Sequence, residues 1–255
     1  MPISPDLLLS LGICMGIQAV LFAFAAAFKT DKVTDLSYSL TFVVLAIVLW
    51  RQSVPPFGMT ALILAGMVVA WGVRLAGYLF SRILQMKRDA RFDGIREHFW
   101  PFFKFWFFQG LAVWVIMLPV TLWFRAPTTW SLFHTAGLIV WAVGLTIETV
   151  ADEQKFAYKR APGAKWMSTG LWRVSRHPNY FGELTCWWGV FLFVAGDLTG
   201  SAWLVGLLGP LAITVVIVFL TGLPQLEASA EKKWGSDPDY QRYKSTTSIL
   251  IPWPK

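Results

Sequence analysis

Apolar residues run through this chain in long blocks, separated by shorter connections that hold most of the charge. A helix needs about 20 mostly apolar residues to cross a hydrocarbon core about 30 Å thick. Seven stretches come close to that length: Leu7 to Phe28, Leu36 to Trp50, Met59 to Leu79, Phe105 to Phe124, Leu132 to Val150, Tyr180 to Ala195 and Trp203 to Leu223. The second and sixth are short, and either tilt less or borrow residues from their flanks. The pattern predicts an all-α, polytopic membrane protein with seven transmembrane helices in one bundle, a single domain over residues 1–255. The first stretch lacks a basic leading segment and runs past signal-peptide length, so it reads as a span. No internal repeat or low-complexity segment interrupts the pattern.

Composition agrees. The chain is 56% hydrophobic and 15% charged, against about 45–50% and about 25% in soluble domains. Its 15 Trp and 20 Phe exceed what a soluble core needs, and Trp gathers at bilayer interfaces. Cys14 and Cys186 each sit inside an apolar run, which leaves no disulfide framework and no CxxC site. The net charge of +7 points to nucleic acid, a membrane surface or an anionic ligand. Placement narrows the choice: 19 of the 22 Lys and Arg fall on alternate connections, with Arg51 and Arg125 opposite and Arg74 inside the third span. By the positive-inside rule the basic side is cytoplasmic, the N-terminus outside and the C-terminus cytoplasmic. Basic residues that border spans exclude a nucleic-acid partner.

Topology and attraction to anionic lipid account for most of these charges, but not for the acids and amides among them. One basic segment reads KRDARFDGIREHFWPFFKF, from Lys87 to Phe105, and includes Arg88, Asp89 and Arg91. The other, Ala151 to Glu183, holds Asp152, Lys159, Arg173, Arg176, His177, Asn179, Tyr180 and Glu183, with Glu148 just before it. Ionisable groups near membrane depth are costly and are functional candidates by default; together they could build an anion-binding cup. In GLWRVSRHPNYFGE, Gly170 to Glu183, Pro178 fits the first turn of a helix. Asn179 and Tyr180 then stand at the mouth of the sixth span, with Glu183 one turn deeper; an interfacial turn is the plainer alternative. Arg74 either serves chemistry or pairs with a carboxylate to hold its span, and Glu148 is either a ligand or a helix-end charge. Glu227 and Tyr243 either cap the cup or belong to a solvated tail. His98 and His134 are isolated, structural or solvated, and no metal-ligand spacing exists. GxGxxG and GxxxxGK[ST] are both missing, so a nucleotide site here is neither Rossmann nor P-loop.

RHPNYFGE, the apolar span after it and the tail YQRYKSTTSILIPWP resemble the membrane reductases of the steroid 5-alpha-reductase type, above all their bacterial branch. More distantly they resemble sterol C14-reductases and isoprenylcysteine carboxyl methyltransferases, which share this C-terminal half. The likeness is strongest over residues 148–255. It implies a seven-helix fold in a bacterial inner membrane, with NADPH bound from the cytoplasm and a lipidic substrate entering from the bilayer. Asn179 and Glu183 match the reductase motif N-[YF]-x-G-[ED], and Asp152 matches an acid that holds the nucleotide. Arg173, Arg176 and His177 fall where phosphates or ribose would be met. Methyltransferase relatives usually lack an acid after the Gly182 position, so Glu183 favours reduction.

The steroid enzymes also carry a Gln-Glu pair and a His-Tyr pair in early spans. Here those regions read TDLSYSL (Thr34 to Leu40) and VAWGVRLAGYL (Val69 to Leu79), with Trp71 in the place of the key Tyr. Tyr38 or Tyr78, with Asp35 or Arg74 nearby, are the candidate proton donors. The expectation is an NADPH-dependent reductase of an activated carbon–carbon double bond in a lipid. The alternatives are an S-adenosylmethionine-dependent membrane methyltransferase and a non-catalytic lipid-binding protein.

Overall fold

The computed structural model describes residues 5–53, 58–85 (backbone only for 82–85), 92–124, 129–160, 163 and 165–253. The elements are α1 (Pro5–Ala27), α2 (Thr34–Arg51), α3 (Met59–Gln85), α4 (Phe99–Ile116), α5 (Leu118–Trp123), α6 (Leu132–Lys159), a 3₁₀ turn (Gly170–Arg173), α7 (Pro178–Ala195), α8 (Gly200–Val215), a π turn (Val216–Leu220), α9 (Leu223–Trp234) and α10 (Pro238–Thr246). Among the described residues, extended backbone pairs only in one isolated parallel bridge, Ser175 with Ser248. Among the described residues, six helical stretches are long and apolar enough to cross a bilayer, which makes the chain an integral membrane protein: Pro5–Ala27, Thr34–Arg51, Met59–Ser81, Phe99–Ile116, Leu132–Lys159 and Gly200–Trp234. The expected sixth span forms as α7, an 18-residue helix, but is not among those six. Its first turns carry Asn179 and Glu183, which offset the apolar run that follows.

Other departures from the expected spans have local causes. The stretch Phe105 to Phe124 is instead two helices. α4 starts early because Pro101 lies in its first turn, where a missing N–H costs nothing. It stops at Ile116 because the ring of Pro119 would collide with the carbonyl four residues back in a continuous helix. α6 continues nine residues past Val150, to Lys159. At 1.5 Å per residue it is about 42 Å long, against a core of about 30 Å. Its last turns therefore carry Asp152, Lys155 and Lys159 beyond the apolar run.

Close packing divides the chain into two compact units, residues 1–135 with 190–209 and residues 136–189 with 210–255. In the first, Phe22 of α1 meets Phe99, Phe102 and Phe103 of α4 edge-on at 5.6–5.8 Å. Gln18 is buried and donates to Thr41 Oγ1 at 2.9 Å, while Gln109 Nε2 donates to Gln18 Oε1 at 2.9 Å and to Ser37 Oγ at 2.8 Å. These bonds stitch α1, α2 and α4 together where water does not satisfy side-chain amides. Arg96 pairs with Asp31, Asp93 and Glu97. His134 is structural: fully buried, its Nδ1 accepts from Ser131 N–H at 3.0 Å, and its Nε2 lies 3.0 Å from Asp197 Oδ2.

The second unit is organised by a crossing of α6 and α7 at backbone contact. A Cβ at Gly144 would fall 2.5 Å from Cys186 N, one at Gly182 2.5 Å from Glu148 N, and one at Gly189 2.5 Å from Trp141 N. Small residues are what allow helices in a bilayer to approach this closely. The contacts 182/148, 186/144 and 189/141 define one antiparallel register. Continued outward, it sets the start of α7 beside Ala151 and Asp152.

Candidate functional site

The segment between α6 and α7 folds back onto the end of α6. Gly170 turns the chain with φ +59°, and a side chain there would meet Gln154. Gln154 Oε1 accepts from Leu171 N–H at 3.0 Å. Trp172 is buried and donates Nε1–H to Ala151 O at 3.0 Å. The C-terminal segment then ties down the same turn. Tyr243 O–H donates to Trp172 O at 2.7 Å, Ser175 Oγ to Leu250 O at 2.7 Å, and Arg176 N–H to Ser248 O at 2.8 Å.

Between these pieces, within the second unit, lies a cavity of about 230 Å³. Its walls are aromatic: Trp166, Trp172 and Trp234 with Tyr158, Tyr240 and Tyr243. Trp166 meets Tyr240 edge-on at 5.2 Å, and Trp234 lies 6.0 Å from each of them. Among the described residues, five cations line the cavity (Lys155, Lys159, Lys165, Arg176 and Lys233) against a single carboxylate, Glu227. Several ammonium groups rest over the rings, Lys155 4.6 Å from the Trp172 centroid and Lys165 5.5 Å from that of Trp166. This is ordinary cation–π geometry. A flat ring can stack in such a space while an anionic substituent meets the lysines. The volume is below the ~300–1,000 Å³ of pockets that enclose a whole small ligand.

Glu227 joins the two consecutive residues that open the RHPNYFGE turn. Glu227 Oε1 lies 2.7 Å from His177 Nε2 and Oε2 lies 2.9 Å from Arg176 Nη2, while Arg176 Nη1 donates to Lys244 O at 3.1 Å. Burial pushes the His177 imidazole below its ordinary range, an effect that the hydrogen bond to Glu227 only partly offsets. Burial likewise raises the Tyr243 phenol. Of the lining cations, Lys165 pairs with Asp237 at 2.7 Å, and beyond the cavity Lys244 pairs with Glu231 at 2.7 Å.

Of the residues that the sequence nominated for cofactor binding, Lys159, Arg176 and His177 line this cavity. Tyr180 stacks on His177, with centroids 5.9 Å apart and planes at 14°. Glu148 and Asp152 are buried on α6; Asn179 and Glu183 are half-buried in the first turns of α7. Arg173 is exposed. Arg88, Asp89 and Arg91 lie outside the described residues. Glu227 and Tyr243 line the cavity and do not belong to a solvated tail. The sequence reading missed Lys155, Lys165, Lys233 and the aromatic walls. The density of Trp in the basic connections was the available signal, but interface anchoring explains it equally well. Among the described residues no three His, Cys, Asp or Glu side chains gather as a metal site.

The donor candidates lie in the first unit. Asp35 and Tyr38 are on α2, Arg74 and Tyr78 on α3, and all four are half-buried. Tyr38 is edge-on to Phe42 at 5.0 Å and to the buried Trp71 at 6.5 Å. The Arg74 guanidinium carbon lies 5.8 Å from the centroid of Tyr78.

No curated protein and no solved structure shows significant similarity to the chain. A family model does: that of DUF1295, described as a protein of unknown function, matches residues 21–247. With nearly its whole length inside that match, the chain belongs to the DUF1295 family.

Proposed function

We propose that this protein is an NADPH-dependent reductase of an activated carbon–carbon double bond in a lipid. The observation that carries the reading is the aromatic-walled, lysine-lined cavity built on the RHPNYFGE turn. DUF1295 is a steroid 5-alpha-reductase-like family, in line with the motif. NADPH would supply hydride to an electron-poor carbon, and the protein would supply orientation and electrostatics. Lys155, Lys159 and Lys233 would meet its phosphates, with Trp172 and Trp166 stacking its base. Asn179, Glu183 and Asp152 would fix hydroxyl and amide groups beside the α6–α7 crossing. Tyr38 or Tyr78 would donate to the developing enolate oxygen, with Asp35 or Arg74 in support. A neutral phenol does this at little desolvation cost.

The same reading places seven spans in a bacterial inner membrane, α7 being the additional one, with the cofactor side cytoplasmic and the N-terminus outside. Calorimetry on the detergent-purified protein tests it. NADPH should bind with clear preference over NADH, and S-adenosylmethionine should not bind. Binding of S-adenosylmethionine alone would replace the reductase reading with methyl transfer, and binding of none of the three would favour a lipid-binding protein.

A further inference from the structure

Among the described residues, Glu227 on α9 is the only carboxylate lining the cavity, and both of its oxygens are committed. One meets His177 Nε2 and the other Arg176 Nη2, two consecutive residues of the turn that leads into α7. An ionised carboxylate only accepts hydrogen bonds. The hydrogen of the His177 ring must therefore sit on Nε2. The ring is buried, its side chain 8% exposed, and the neighbouring Lys155 and Arg176 disfavour a second proton. What remains is Nδ1 with a bare lone pair. That atom is buried and has no hydrogen-bond partner among the described residues. Buried polar atoms are nearly always satisfied, and an exception calls for an explanation such as a missing ligand.

We propose that Glu227 is a positioning residue of this cavity: accepting from His177 Nε2, it keeps Nδ1 as an acceptor for an O–H or N–H of the ligand. By pairing with Arg176, it leaves the ligand's anionic part to the lysines. The identity of that ligand rests on the nucleotide reading above, in which a ribose hydroxyl or the adenine amino group brings the donor. The tautomer itself does not depend on that reading.

The chain has three histidines, so histidine-selective ¹⁵N labelling gives three ring systems, and His177→Asn identifies the one that matters. Without ligand at pH 7.5, His177 should be neutral and protonated on Nε2. Glu227→Gln retains an accepting oxygen and should keep that tautomer, whereas Glu227→Ala should let both tautomers exchange. Adenosine 2′,5′-bisphosphate should shift the Nδ1 resonance in the wild type and bind about tenfold more weakly to Glu227→Ala, the scale of one buried hydrogen-bond partner lost. A wild-type ring that is protonated on Nδ1, or on both nitrogens, overturns the proposal. So does an unchanged tautomer or an unchanged affinity in Glu227→Ala. If the bisphosphate binds no form while the tautomers behave as stated, the nucleotide reading fails and the positioning by Glu227 stands.

Discussion

Gly182 on α7 faces the backbone of Glu148 on α6 so closely that a Cβ at position 182 would lie 2.5 Å from the Glu148 nitrogen and 2.8 Å from its Cα. Neither atom can swing aside as a flexible side chain would, so even alanine must push the two helices apart. Gly182→Ala should therefore lower stability by about 1–3 kcal/mol, the range for overpacking a well-filled interface. Gly77 in α3 is the control, since a Cβ there meets nothing within 4 Å. Gly77→Ala should be neutral or slightly stabilising, because alanine is the better helix former. Thermal unfolding in one detergent compares the two directly. Equal midpoints for both variants would mean that α6 and α7 do not cross at backbone contact.

The same crossing positions the first turns of α7, where Asn179 and Glu183 stand. Asn179→Ala and Glu183→Ala remove polar groups without adding bulk. Each should weaken NADPH binding by about 1–3 kcal/mol if the ligand groups they serve are left buried and unpaired. Elution in detergent should stay monodisperse. Gly182→Ala should lose both stability and affinity, whereas the two polar variants should lose affinity alone. Full affinity in both polar variants would return this motif to a structural turn.

The apolar helices were legible in the sequence because the bilayer imposes a long, unmistakable run of residues on each. What the apolar signal cannot report is where a helix stops once it leaves hydrocarbon. Val150 ends the run in α6, yet backbone hydrogen bonding continues to Lys159, and those extra turns carry one wall of the cavity. Pro119 advertised the break between α4 and α5, but strong hydropathy on both sides masked it. In the site, His177 and Arg176 were readable from RHPNYFGE. Their partner Glu227 lies 50 residues further along, and Trp166, Trp172, Trp234 and Tyr240 converge from three separate segments. No local spacing announces such a convergence.

Protonation should expose the His177 arrangement as a pH dependence of stability. Burial holds the folded-state pKa of His177 below its ordinary 6.5. The unfolded chain therefore takes up the proton first as the pH falls. The stability contributed by neutral His177 is complete above about pH 6.5 and is lost progressively as the pH drops from there through the folded value. Thermal midpoints of the wild type should decline across that window. His177→Asn should flatten that part of the profile, although it lowers the plateau. A wild-type midpoint that rises on acidification from pH 7 would have the sign wrong and would mean that pairing with Glu227 outweighs burial.

The proton donor is the remaining step of the proposed reaction. Hydride addition to a conjugated carbonyl builds negative charge on its oxygen, and a donor in the helical interior must meet that charge without water. Tyr38 packs edge-on against Phe42 and Trp71, which restrains its ring. Tyr78 instead has the Arg74 guanidinium carbon 5.8 Å from its ring centroid. If a phenol is the donor, either Tyr38→Phe or Tyr78→Phe should lower turnover by about 10²-fold or more, the scale of general acid catalysis. Affinity for NADPH should barely change, because neither phenol is among the groups proposed to meet its phosphates. The measurement is single-turnover oxidation of bound NADPH by a panel of enone lipids. Should both Phe variants keep the full rate while Arg74→Met abolishes it, the guanidinium or a water it orders is the donor, and the phenol assignment is wrong.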